Sequence, residues 1–370
     1  MAIHAVLALD RERLRTEHAQ FGRLVVALTA NGCRVTTLVF GPPFGNDHPA
    51  DRPIGLGRVI HFPEHLAPWL RAARFQELLE EFDRDTPDLI WSAGIDCWAI
   101  TARLAKAIKR PMIVQVDGQL EVKRARKLGR LIQVAGFIAS TEPIATQLAR
   151  DFPGSELELV PPGVAIRERE VTLKRRSDDG PLALSILGRT QGRGHYRALF
   201  EALSNLRDVG PGARFVIELP DGSDQRIWRQ LRRSDLTDLT TAVSEPVRMQ
   251  RLLAASDLIL RPTPENRVRP IILEAMAKGA PVVTVPEPWL DYLGTEQGST
   301  LVERPTSQHW EDALRPLLLS PELRSTKGTL AREWVITRHR SSDRAQAVES
   351  LFIRVVGEDS LPLETAEKQP

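Results

Sequence analysis

The chain has 370 residues, 42% apolar and 26% charged, with a formal net charge of +2. Such a composition calls for a soluble globular protein of two domains or one large α/β unit, with a core of ordinary size. Near-neutral charge and 5% aromatic residues give no case for a nucleic-acid partner, which needs a basic surface or stacking platforms.

The first apolar run, 6–9, reads as a strand that stops at Asp10. It lacks the basic flank and cleavage site of a signal peptide, and no run approaches the roughly 20 apolar residues of a membrane span. A cytoplasmic location is expected. Residues 20–30 read as a helix stopped by Asn31-Gly32, and 35–40 as the next strand, which starts just past Cys33. A weaker strand follows at 58–62. Residues 67–82 form a helix, with Leu70, Ala73, Leu78, Leu79 and Phe82 near helical spacing. Then come a strand at 88–92, a helix at 98–108, a strand at 112–116, a basic helix near 122–133 and a strand at 136–139. This alternation calls for a parallel sheet with helices on both faces. Cys33 and Cys97 each sit in an apolar run and read as buried free thiols rather than a disulfide framework.

Val160-Pro161-Pro162-Gly163-Val164 closes the first half, giving an expected first domain over 1–165. The charged stretch 166–180 reads as a linker. A second domain over 181–341 opens with a strand at 182–187 and continues with strands at 215–218, near 239–243, at 258–260, at 282–285 and near 299–302. The segment 359–370 reads as a polar tail. Two such units are expected to leave a cleft, with ligands outside the carboxyl ends of the strands.

Gly188-Arg189-Thr190-Gln191-Gly192-Arg193-Gly194 lies between the first strand of the second half and a helix over 195–206. A glycine-containing loop at a helix N-terminus brings backbone N–H groups and the dipole to an anion, and Arg189 and Arg193 would add bidentate contacts. The loop alone fits a solvated turn with two surface arginines equally well. Downstream, the apolar strand at 258–260 leads into a polar loop with Glu265. A helix with Glu274 near its start follows, and then a Gly-Ala-Pro turn into another apolar strand. An acid in the first turn of a helix is stabilised by the dipole without any further role.

The string Glu274-Ala275-Met276-Ala277-Lys278-Gly279-Ala280-Pro281-Val282-Val283 resembles the donor-sugar motif of retaining glycosyltransferases of family 4, the group 1 type. The resemblance implies an α/β protein of the GT-B fold: two Rossmann-like parallel-sheet domains facing each other across a cleft. A helix at about 342–358 would cross back to complete the first domain. The implied activity is metal-independent, retaining transfer of a hexose from a nucleotide-diphosphate sugar, of UDP or GDP type, to a glycan or lipid-linked acceptor. The donor is a substrate, and no further cofactor and no metal are implied. Gly188, Arg189 and Arg193 would hold the diphosphate, and Glu274 the ribose hydroxyls.

The family spaces its two acids at Glu-x7-Glu, whereas Glu265 and Glu274 enclose eight residues and the in-register residue is Asn266. Both Glu265 and Asn266 are therefore candidates for the donor-sugar contact. A family Gly-Gly pair is replaced by Arg15-Thr16. The strand at 112–116 ends at Asp117 where the family usually has a histidine, so Asp117 either substitutes for it or begins a turn. These departures support a second reading, a degenerate member that binds a nucleotide, glycan or partner without chemistry. A third is a nucleotide-sugar epimerase.

Lys123, Arg124, Arg126, Lys127 and Arg130 make either a solvated helix face or a peripheral contact with an anionic membrane on its cytoplasmic side. His61-Phe62-Pro63-Glu64-His65 has the spacing of a zinc helix, but Pro63 breaks that helix and no metal site is proposed. The chain has no Gly-x-Ser-x-Gly elbow and no P-loop.

Overall fold

The structure is a computed structural model that describes residues 3–41, 54, 57–63, 68–130, 132–164, 180–188, 193–219, 224–244, 249, 252–253 and 255–358. The stretch 165–179, which holds nearly all of the expected linker, and the tail 359–370 lie outside the described residues. The chain divides into two compact units, Met1–Gly163 with Ser341–Pro370, and Val164–Arg340.

The strands of the first unit are β1 (His4–Leu9), β2 (Arg34–Phe40), β3 (Val59–Phe62), β4 (Leu89–Ser92), β5 (Met112–Val116), β6 (Gly136–Ala139) and β7 (Glu156–Leu159). All seven pair in parallel, in the order β3-β2-β1-β4-β5-β6-β7. Parallel neighbours need crossovers. Helices α1 (Arg11–Ala30), α2 (Pro68–Arg84), α3 (Trp98–Ile108), α4 (Gln119–Leu128) and α5 (Glu142–Asp151) supply them. Central β1 is buried along its whole length, which is why it reads as a continuous apolar run. The order reverses between β1 and β4, the place where open α/β sheets form a crevice.

Four elements of the first unit depart from the sequence expectations. Helix α1 begins at Arg11, not at 20, with Asp10 as its N-cap accepting from the Arg13 backbone N–H at 2.8 Å. Arg13, Glu17 and Gln20 lie on its buried face, so the apolar periodicity is broken where the helix packs. Arg15-Thr16 consequently sits inside α1 rather than in a loop. Helix α4 stops at Leu128, not near 133, and Gly129 is its C-cap. A Cβ on Gly129 would lie 2.4 Å from the Phe152 ring, so glycine lets that ring close on the helix end. Helix α5 and edge strand β7 had no counterpart in the pattern reading; β7 is only half-buried, and its Glu-Leu-Glu-Leu alternation is short.

The second unit has six parallel strands, β8 (Leu182–Ile186), β9 (Ala213–Glu218), β10 (Thr240–Val243), β11 (Leu258–Arg261), β12 (Val282–Thr284) and β13 (Thr300–Leu301), in the order β10-β9-β8-β11-β12-β13. Its helices include α6 (Arg193–Asn205), α7 (Gln225–Arg233), α8 (Pro270–Ala277), α9 (Ser307–Leu319) and α10 (Pro321–Arg338). Two apolar cores form. One joins α6, α7 and α9 to strand residues such as Leu184, Phe215 and Leu260. The other joins α8 and α10 to Ile259 and Val282. The alternation of buried strands and amphipathic helices thus gives two parallel-sheet α/β units.

The last helix, α11 (Ser341–Glu358), belongs to the first unit. Val348, Leu351, Phe352 and Val355 join the core formed by β1, β2 and α1. Trp91 sits between Phe21 of α1 and Phe352 of α11, with ring centroids 6.0 and 5.8 Å away.

Candidate functional site

The second sheet reverses order between β8 and β11, and the carboxyl ends of those strands carry most of the candidate residues. Gly188 follows β8 with φ +153°, a conformation that side chains rarely adopt. A Cβ there would lie 2.6 Å from Thr263 Oγ1, 3.3 Å from the Tyr196 hydroxyl and 3.9 Å from Glu265 Oε1. Backbone of the β8 loop thus approaches the β11 loop as closely as a missing side chain permits. Tyr196, on the first turns of α6, donates to the Gly188 carbonyl at 2.8 Å. Its burial pushes the phenol well above the usual range, so it is a neutral donor. Arg189 and the residues to 192 lie outside the described residues. Arg193 opens α6, but its side chain also lies outside them.

Glu265 and Asn266 stand on the loop after β11. The Glu265 side chain is nearly buried and lies 3.6 Å from Arg269 Nη1. Arg269 in turn holds Glu218, at the end of β9, with two hydrogen bonds of 2.7 and 2.6 Å. Burial alone lowers the Arg269 guanidinium, but the carboxylates of Glu218 and Glu265 more than offset this and hold it above the ordinary arginine range. Asn266 adopts left-handed φ +47°, which asparagine tolerates better than most residues. Its Oδ1 is buried with no hydrogen-bond partner among the described residues. The structure brings Gly188 and Glu265 together, and Asn266 is the next residue of the same loop.

Glu274 is half-buried, and it is not in the first turn of its helix as expected. Helix α8 starts with Pro270, so Glu274 lies one turn in, and the dipole argument weakens accordingly. Two close contacts hold α8. Arg332 of α10 donates to the Ala277 carbonyl. Gly328 of α10 packs so close to Gly279 that a Cβ on it would lie 2.1 Å from the Gly279 carbonyl oxygen.

Asp117, expected beside a reacting sugar or as a turn residue, directly follows β5 and precedes Gly118, the N-cap of α4. It is buried at the end of β5 in an ion pair with Arg13, and it accepts from Ser140 Oγ and from Gln115 Nε2 at 3.0 Å. Arg13 also donates to Glu17 at 2.9 Å and to Glu121 at 3.2 Å. Burial lowers the Arg13 guanidinium, but Asp117, Glu17 and Glu121 more than offset this and hold it above the ordinary range. The carboxylate is therefore engaged within the first unit.

The basic residues of α4 are exposed, as is neighbouring Leu120, but Arg124 pairs with Asp96 at 3.4 Å and Arg126 with Asp151 at 2.5 Å. Glu64 and His65 lie outside the described residues. Among the described residues no group of three or more His, Cys, Asp or Glu is arranged to hold a metal ion, and no helix is long and apolar enough to cross a membrane.

Sequence reasoning missed Tyr196, Arg261, Arg269 and Glu287, and it singled out Glu218 only for its backbone, as part of a stretch expected to recognise the base. One signal was present. Arg261 ends an otherwise apolar buried strand, and a charge there demands a buried partner. Nothing in the sequence names that partner as Glu287.

No protein-family model matches the chain. It is 24% identical over 258 residues to the D-inositol 3-phosphate glycosyltransferase of Segniliparus rotundus. The match covers 63% of this chain and 58% of that protein, so the chain spans little more than half the relative's length. Among solved structures, Alr3699/HepE from Anabaena, in complex with UDP and glucose, superposes with a TM-score of 0.73 at 14% identity, covering 97% of this chain and 100% of HepE. Sucrose-phosphate synthase from Thermosynechococcus elongatus gives 0.73 at 16% identity, covering 96% and 100%. The chain therefore has the fold of GT-B glycosyltransferases, with two parallel α/β units.

Proposed function

We propose that the chain is a glycosyltransferase that moves a hexose from a nucleoside diphosphate to an acceptor, with retention of configuration and without a metal ion. The observation that carries this reading is Gly188, whose missing side chain leaves room beside Thr263 and Glu265 at the switch point of the second sheet. Gly188, Arg189 and Arg193 are assigned to the diphosphate, Glu274 to the ribose hydroxyls, and Glu265 and Asn266 to the donor sugar. As the nucleotide departs, charge builds on the phosphate oxygen. The two arginines and the N-terminus of α6 would stabilise it. The UDP bound by HepE favours a UDP-type donor, with GDP the other choice. The acceptor, a glycan or a lipid-linked one, is assigned to the first unit. With it goes a cytoplasmic location with α4 against an anionic membrane. Asp117 remains a candidate for the place the family gives to a histidine, and its ion pair with Arg13 weighs toward a structural role.

A second reading, a non-catalytic member that keeps the fold, is favoured by two placements: Asp117 is sealed by Arg13, and Glu265 is drawn to Arg269. The deciding experiment is thermal-shift binding against UDP, GDP, ADP, CMP and their sugar conjugates, with Glu274→Ala as the control. A ligand at about 100 times its dissociation constant adds roughly 2.7 kcal/mol to the state that binds it. One nucleotide class stabilising the wild type but not the variant supports the donor site. No shift with any nucleotide sinks it. Incubating the stabilising sugar nucleotide without acceptor then separates a transferase from an epimerase, which alone converts it.

A further inference from the structure

Glu287, just past β12, reaches the β11 loop. Its carboxylate does two things at once. Oε2 accepts the backbone N–H groups of Glu265 at 2.9 Å and Asn266 at 2.8 Å. Oε1 accepts from Arg261 Nε at 3.0 Å and from its Nη2. Both side chains of this pair are completely buried. Arg261 Nη1 has no hydrogen-bond partner among the described residues, and Glu287, ahead of Glu265, compensates a charge that has lost its water.

Successive N–H groups that converge where the chain turns left-handed make a nest for an anion. Residues 265 and 266 form such a nest, with Asn266 at φ +47°. Its occupant is an internal carboxylate, not a ligand. A residue in that conformation persists only when its surroundings over-determine it. Here the surroundings are two hydrogen bonds to one residue.

We propose that Glu287 is a positioning residue for the donor-sugar loop, with Arg261 as the counter-ion that holds its carboxylate in place. This rests on the reading of the second unit as a nucleotide-sugar site. Glu287 touches neither nucleotide nor sugar in that reading. It sets where Glu265 and Asn266 present their side chains, so it governs the sugar's share of binding and leaves the nucleotide's share to Gly188, the loop arginines and Glu274.

The test uses the full chain with Glu287→Gln and the double substitution Arg261→Met with Glu287→Met. The double variant replaces a buried ion pair by apolar side chains, a change that folds tolerate. Calorimetry would give dissociation constants for UDP, UDP-glucose, GDP and GDP-mannose, and amide exchange would follow the Glu265 and Asn266 N–H groups. The double variant also removes the acceptor of the Glu265 and Asn266 N–H groups, so it is expected to unfold somewhat below the wild-type temperature and to bind the free nucleoside diphosphate as before. The extra affinity conferred by the sugar should fall about tenfold, with Glu287→Gln between. Exchange at the two amides should speed up in both variants. If both ligands weaken equally, or neither does, Glu287 is merely structural and the proposal falls. If the wild type binds no nucleotide at all, the site reading falls and the positioning role falls with it. Unchanged amide protection would remove the loop-holding argument whatever the nucleotides do.

Discussion

The guanidinium of Arg13 on α1 lies against the carboxylate of Asp117 at the end of β5, and neither side chain is open to solvent. Both are supported further: Arg13 by Glu17 and Glu121, Asp117 by Ser140 and Gln115. Removing one member of a buried pair strands the other charge, which costs more than the pair contributes. Asp117→Ala is therefore expected to destabilise the first unit by about 3–5 kcal/mol. Urea unfolding would measure it. A stable variant that loses only turnover would instead return Asp117 to the chemistry.

Gly188→Ala places a methyl group 2.6 Å from Thr263 Oγ1 and strains a backbone at φ +153°. A loss of about 1–3 kcal/mol is expected in thermal unfolding. Adding Thr263→Ala should recover part of it by removing the clash, while the backbone strain remains. Full recovery would mean that the positive φ costs nothing.

Gly328→Ala would put a methyl group 2.1 Å from the Gly279 carbonyl oxygen. Backbone cannot yield as a side-chain tip can, so α10 must move away from the turn that ends α8. A loss of about 1–3 kcal/mol is expected. The movement should also weaken nucleotide binding, because Glu274 is on α8. Unchanged affinity in a destabilised variant would show that α8 keeps its place without α10.

His4 is held neutral. Its Nε2 pairs with Thr36 Oγ1 at 2.9 Å, and its Nδ1 faces Arg34 Nη2 at 2.6 Å. Burial first, then Arg34, lowers its pKa below the usual 6.5, against opposing pulls from Asp85 and Asp88. The unfolded chain therefore takes up a proton before the folded one does. The stabilising contribution is complete above 6.5 and is lost as pH falls from there through the depressed folded value. Wild type should lose stability faster than His4→Gln over that window in denaturant titrations at stepped pH. Parallel slopes for the two proteins would refute the neutral histidine.

How much was readable in advance depended on whether a residue's partner was local. Buried parallel strands announce themselves, because β1 and β11 must be apolar on both faces. Glycine announced itself at 188, where a strand end meets a helix start. Helix α1 did not, because Arg13, Glu17 and Gln20 mimic an exposed face in the string while they occupy a buried one in space. Glu274 was singled out through its surrounding motif, and the helix that carries it starts one residue before the expected 271, because Pro270 sets that start.

The order of apolar runs and punctuating glycines and prolines was enough to specify two parallel α/β units and the loops on which a ligand site would be built. That is so because burial and backbone conformation act over a few residues at a time. The electrostatic partners were settled elsewhere. Arg261 finds Glu287, Arg269 finds Glu218, and Arg13 finds Asp117 only once the strands are laid side by side. A charge in the chain states that it needs a counter-charge; which one it receives is a matter of three-dimensional neighbourhood, where desolvation makes every unpaired group expensive.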